Sequence, residues 1–92
     1  MPKLTPPQIK IALRTVRQWK KRGKTISRTY QFKDFPAAIK FVNAVARSAE
    51  KAWHHPDINI RWSKVTLTLT THDAGGLTDK DFTLAEKFDL VG

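Results

Sequence analysis

Two of the chain's three histidines stand side by side in KAWHHPDI, residues 51–58, and the third lies in THDAGG, residues 71–76. Imidazole donates or accepts a proton near pH 7 without a large shift of its pKa. If His54, His55 and His72 converged, they would suit a reaction that protonates a leaving group and abstracts a nearby proton. Asp73 and Asp81 could orient the rings or balance their charge, and Glu50, one helical turn before the pair, is another supporting acid. Three histidines and an aspartate would also serve as zinc ligands. However, adjacent histidines diverge on an extended backbone, and the chain has neither an HExxH spacing nor any cysteine. A third reading makes the histidines helix-ending and loop-bonding groups. The residues alone leave all three readings open, and no metal is expected. Gly75-Gly76 reads as a turn, because no glycine-rich nucleotide pattern accompanies it.

The elements that must position these groups can be read from caps and periodicity. In LTPPQIKIALRTVRQW, Thr5 is a suitable N-cap, Pro6 suits the first helical position and Gln8 completes a capping box. Ile9, Leu13, Val16 and Trp19 then form an apolar stripe, and KKRGK follows as a turn. TISRTYQF alternates as a strand, with Ile26, Tyr30 and Phe32 on one face. From Asp34 as cap, a long core helix is expected with Phe35, Ala38, Ile39, Val42, Val45, Ala46, Ala49 and Trp53 inward. It should end at the histidine pair, because Pro56 disfavours helical geometry at His55. INI is a short extended piece. WSKVTLTLTTH is the clearest strand, its apolar Val65, Leu67 and Leu69 opposite a threonine face extended to Trp62, Lys64 and His72. A last helix opens at Thr78, with Asp81 at its third position. That is a capping site, and one carboxylate can both cap a helix and serve a reaction centre. The order α-β-α-β-β-α predicts an α+β fold, a single small domain over residues 1–92 with helices covering one face of an antiparallel sheet.

Ninety-two residues, 40% of them hydrophobic, allow one modest core. The absence of cysteine excludes disulfide and thiolate chemistry, no run is apolar and long enough to span a membrane, and a cytoplasmic location is the expectation. The formal charge of +9 is one-sided. Residues 1–33 hold ten Lys or Arg and no acid, while residues 34–92 hold seven bases and eight acids, a net of −1. Such a face stays solvated or attracts an anionic partner, but no nucleic-acid reading motif accompanies it, and nucleic acid is not the expected partner.

AEKAWHHPDI, the valine–threonine strand and THDAGGLTDKDFTLAEKFD together resemble the pterin-4a-carbinolamine dehydratase family. YQFKDFPAAIKFVNAVARSAE resembles that family's strand and long helix, so the similarity runs from about Trp19 to Asp89. The resemblance implies an α+β fold and dehydration of 4a-hydroxytetrahydropterin to quinonoid dihydropterin. It implies no metal and no organic cofactor. It assigns His54, His55, His72 and Asp81 to catalysis: His55 and His72 move protons, His54 positions the substrate and Asp81 orders the network. Glu50, Pro56, Asp73 and Trp19 are the expected supporting or substrate-binding residues. Dimers or tetramers built by sheet pairing and helix packing are also implied. A protein partner is a further expectation, because a family relative doubles as a dimerisation cofactor for a homeodomain transcription factor.

Overall fold

The computed structural model describes residues 2–91. Helix α1 (Pro6–Ala12) begins as its sequence dictates. The Thr5 hydroxyl accepts from the Gln8 N–H, and the Gln8 side chain accepts in return from the Thr5 N–H at 2.8 Å. The stripe that follows is buried at Ile9, Val16 and Trp19, but the α-helix stops early and tightens into a 3₁₀ turn over Leu13–Thr15. The three-residue spacing of Leu13, Val16 and Trp19 suits that winding, which turns every three residues.

KKRGK is not simply a turn. Lys20–Arg22 form strand β1, paired antiparallel to β2 (Thr25–Gln31) through the two-residue loop Gly23-Lys24. Gly23 has φ +55° at the position where such a tight hairpin favours glycine. A run of three cations has no hydrophobic alternation to betray it as a strand, yet it suits an edge, where charge discourages further pairing.

Helix α2 (Phe35–Ala52) is capped by Asp34, whose carboxylate accepts from the Ala37 N–H at 2.9 Å. Its buried face is Ala38, Phe41, Val45 and Ala49. Phe35 and Ala46, expected inward, are exposed, and Phe41 instead packs on Tyr30 and Phe32 with ring centroids 4.5 and 5.0 Å away. Strands β3 (Asp57–Arg61) and β4 (Lys64–Leu69) form a second hairpin. Trp62 is therefore a loop residue, with φ +62°, and not the start of a strand. The sheet order is β1-β2-β4-β3, all antiparallel. Ile26, Val65, Leu67 and Leu69 are fully buried against the helices. On the opposite face the hydroxyls of Thr29 and Thr66 pair across strands at 2.8 Å, so that face is polar and uncovered by helices. Helix α3 (Asp79–Val91) packs against α2. This is the expected α+β architecture with one extra edge strand. Among the described residues, no helix is long and apolar enough to cross a membrane.

Asp89, near the end of α3, ties that helix to the sheet. Its Oδ1 accepts from Trp19 Nε1 (3.0 Å), Arg28 (2.8 Å) and the Tyr30 hydroxyl. The Arg28 guanidinium also lies 4.3 Å from the centre of the Tyr30 ring. Burial raises the Tyr30 phenol above its usual range. The hydrogen bond and the negative charge of Asp89 push it in the same direction, and Arg28 opposes them.

Candidate active site

The histidine pair owes its position to the end of α2. Trp53 adopts left-handed geometry (φ 51°, ψ 42°), and the helix closes with His54 N–H donating to Ala49 C=O at 3.1 Å and Trp53 N–H to Glu50 C=O at 3.2 Å. This is the six-to-one and five-to-two pattern that usually places glycine at the left-handed residue. A bulky side chain there costs roughly 1–2 kcal/mol. The reversal carries Trp53 out of the core, against its expected inward position, and leaves it 73% exposed.

The opposite wall comes from the turn after β4. His72–Ala74 form a single 3₁₀ turn that Gly75 closes at φ +74°, and Thr71 and Gly76 bridge its base. Together the two segments enclose a cavity of about 350 Å³ lined by Trp53, His54, His55, Thr70, Thr71, His72, Asp73 and Lys80. A larger, shallower depression of about 650 Å³ over the β3–β4 hairpin is lined by Ile60–Lys64 and contains neither histidine nor acid.

Asp81 is the anchor of the cavity. Its carboxylate is fully buried at the third position of α3. Oδ2 caps the helix, accepting from the Thr78 N–H at 3.0 Å, and also accepts from the Thr71 hydroxyl at 2.9 Å. Oδ1 pairs with His54 Nε2 at 2.6 Å. One carboxylate thus caps a helix and holds an imidazole, the dual use that its position in the sequence permitted. A neutral His54 in this pairing carries its proton on Nε2, so Nδ1 is an acceptor; a charged ring would have Asp81 as its counter-ion.

His55 has a different environment. Its Nε2 lies 3.0 Å from Glu50 Oε2, and both side chains are more than half exposed, so the contact orients the ring and adds little stability. The Trp53 indole meets the His55 ring edge-on at 5.4 Å. His72 is exposed on the cavity wall and takes part in none of these hydrogen bonds. His54 is held, therefore, while His55 and His72 face solvent. Among the described residues, no three histidine, aspartate or glutamate side chains gather as a possible metal site.

A family model described as "Pterin 4 alpha carbinolamine dehydratase" matches residues 2–91. The chain belongs to the pterin 4 alpha carbinolamine dehydratase family. Relatives named "Putative pterin-4-alpha-carbinolamine dehydratase" include one from Roseiflexus sp. (strain RS-1), 54% identical over 89 residues, which are 97% of this chain and 96% of the relative. Another, from Nocardia farcinica (strain IFM 10152), is 54% identical over 86 residues, 94% of this chain and 90% of the relative. The crystal structure of a transcriptional coactivator/pterin dehydratase from Brucella melitensis superposes with a TM-score of 0.93 at 35% identity, covering 97% of both chains. A pterin dehydratase-like protein identified as a RuBisCO assembly factor in the alpha-carboxysome shares the fold, with a TM-score of 0.69 at 23% identity over 80% of this chain and 88% of its own.

The residues to which the family resemblance points divide clearly in space. His54, His55, His72 and Asp73 line the cavity, with Asp81 behind His54 and Glu50 beside His55. Asp73 pairs with neither histidine of the pair, because Asp81 and Glu50 hold them. Pro56 is half-buried beyond the end of α2 and outside the cavity lining. Trp19 is not at the cavity: it is 3% exposed and bonded to Asp89 at the far end of α3. Sequence reasoning missed Trp53, Thr70, Thr71 and Lys80 as wall residues. Lys80 could have been found from Asp81, since it stands next to the buried anchor at the opening of α3, whereas Trp53 was hidden by its helical spacing.

Proposed function

We propose that the chain catalyses dehydration of a 4a-hydroxytetrahydropterin to the quinonoid dihydropterin, in recycling of the pterin cofactor. The observation that carries this reading is the division of labour in the cavity: His54 is locked to a buried carboxylate, while His55 and His72 stand on the same cavity with their rings accessible. In the reaction the C4a–O bond breaks and an acid protonates the departing hydroxyl, which leaves as water. A base removes the N5 proton, and the electrons of the N5–H bond form C4a=N5. His55 and His72 supply the acid and the base, each worth about 10²–10⁴-fold in rate. His54, fixed by Asp81, positions the substrate and balances charge. The chemistry requires no metal or organic cofactor, and the protein acts as a cytoplasmic homo-oligomer.

Stopped-flow dehydration by metal-free protein tests the reading. Turnover should survive chelator, and His72→Ala or His55→Ala should lose most of the rate with the circular dichroism spectrum retained. Equal rates in folded variants would overturn the assignment of these two rings. A second reading, a protein-binding or dimerisation cofactor on the same scaffold, draws on the description of the Brucella relative as a transcriptional coactivator. It predicts a specific protein complex that forms equally well with the His72 variant.

A further inference from the structure

Only two non-glycine residues among those described have positive φ, and both are tryptophans. Trp62 lies in the β3–β4 loop, at the opposite end of β4 from the cavity. Trp53 lies on the cavity wall itself, 73% exposed, with its indole edge-on to His55 at 5.4 Å. Its backbone geometry is one that glycine or asparagine adopts with less crowding. Burial does not compensate for that crowding, because the side chain has left the core. Strain kept at an exposed aromatic beside accessible histidines is the kind of local conflict that accompanies a binding role.

We propose that Trp53 is a substrate-positioning residue whose indole forms a stacking platform for a planar, nitrogen-rich bicyclic ring held against His55 and His72. The inference rests on the pterin reading above and goes further by assigning a specificity element within it. A pterin presents a flat aminopyrimidinone ring, and the other cavity-lining residues, Thr70, Thr71, Asp73, Lys80 and the three histidines, are polar or charged. Trp53 is thus the one large hydrocarbon face among them. The aminopyrimidinone half stays planar while chemistry proceeds at C4a and N5, so the stack is equally strong in ground and transition states. Such uniform binding moves KM and leaves kcat unchanged.

The test compares Trp53→Asn, Trp53→Phe and Trp62→Asn with the wild type. It measures calorimetric affinity for oxidised pterin, steady-state dehydration and thermal melting. Loss of one aromatic stack corresponds to roughly 5- to 150-fold in affinity. Trp53→Asn should therefore weaken pterin binding and raise KM by about tenfold or more, with kcat within twofold. Its melting temperature should rise, because asparagine tolerates the left-handed backbone. Trp53→Phe should recover much of the affinity, and Trp62→Asn, which relieves the same strain at a distance, should leave it unchanged. Unaltered affinity and KM in a folded Trp53→Asn protein would overturn the proposal. A change of oligomeric state confined to the Trp53 variants would also overturn it, assigning the indole to a contact between copies. Wild-type protein that neither binds pterin nor dehydrates the carbinolamine would refute the pterin reading itself. That result is distinct from intact wild-type activity with an indifferent Trp53.

Discussion

Replacing Asp81 separates its two duties. Asp81→Ala strips the carboxylate from the Thr78 N–H, the Thr71 hydroxyl and His54 Nε2. The Thr71 hydroxyl still has the Thr78 hydroxyl at 2.8 Å, so it is not stranded. The Thr78 N–H is buried without another partner, and His54, with a side chain 12% exposed, can recover only part of its bond from water. Loss of the cap costs about 1 kcal/mol, and the stranded and charge-assisted bonds cost about 1–3 kcal/mol each, roughly 3–5 kcal/mol together. A domain of this size has a total stability of about 5–14 kcal/mol, so the alanine variant should unfold at much lower urea. Asp81→Asn keeps the shape. Its amide oxygen can still accept from Thr78 and Thr71, but its NH₂ then faces His54 Nε2, and the ring must change tautomer or turn. The lost hydrogen bond between charged groups is worth about 1.5–3 kcal/mol at the transition state, or roughly 10- to 150-fold in dehydration rate. The expected pattern is a folded, slow asparagine variant and an unstable alanine variant, read by urea titration and stopped-flow turnover. An asparagine variant that dehydrates within twofold of wild type would refute the role of the His54–Asp81 pair. An alanine variant with the wild-type urea midpoint would refute the capping role.

Two further outcomes follow from the other end of α3. Asp89→Ala removes the acceptor shared by Trp19, Arg28 and Tyr30, and should cost roughly 2–4 kcal/mol in a urea titration, since the Trp19 N–H and the Tyr30 hydroxyl lie in the core. Arg28→Ala should cost less, because that side chain is 27% exposed and water can replace part of its bonding. The folded phenol of Tyr30 loses its proton at higher pH than the unfolded one, whose pKa is about 10. Its contribution to stability is therefore complete below about pH 10 and declines as pH rises from there toward the folded pKa. Tyr30 is the chain's only tyrosine, so its near-ultraviolet tyrosinate band should appear together with unfolding; a band at about pH 10 in folded protein would contradict the buried network.

Much of the site was legible in sequence because it depends on local rules. The capping box at Thr5, the Asp34 cap, the alternation of Val65, Leu67 and Leu69, and the third-position acid at Asp81 each follow from a few neighbouring residues. Other features were lost where a local pattern admitted two solutions. Helix α2 carries apolar residues on more than one face. Packing against the sheet and α3 selected Ala38, Phe41, Val45 and Ala49, and left Phe35 and Ala46 in solvent. KKRGK was obscured because a charged edge strand lacks the alternation by which strands are recognised.

By itself, the sequence determined the α+β order, the end of α2 near the histidines and the chemical types of the cavity residues. Tertiary structure decided which groups meet. Asp81 lies 27 positions after His54, and nothing local pairs them; the packing of α3 on α2 brings their side chains to 2.6 Å. The same folding assigns Glu50 to His55, leaves Asp73 on the wall and withdraws Trp19 to Asp89. It also turns Trp53 from a core position into an exposed wall, because a single left-handed residue redirects the chain whatever the helical spacing before it. Backbone preferences act within a few residues, whereas the meeting of His54 and Asp81 requires the whole core to close around them.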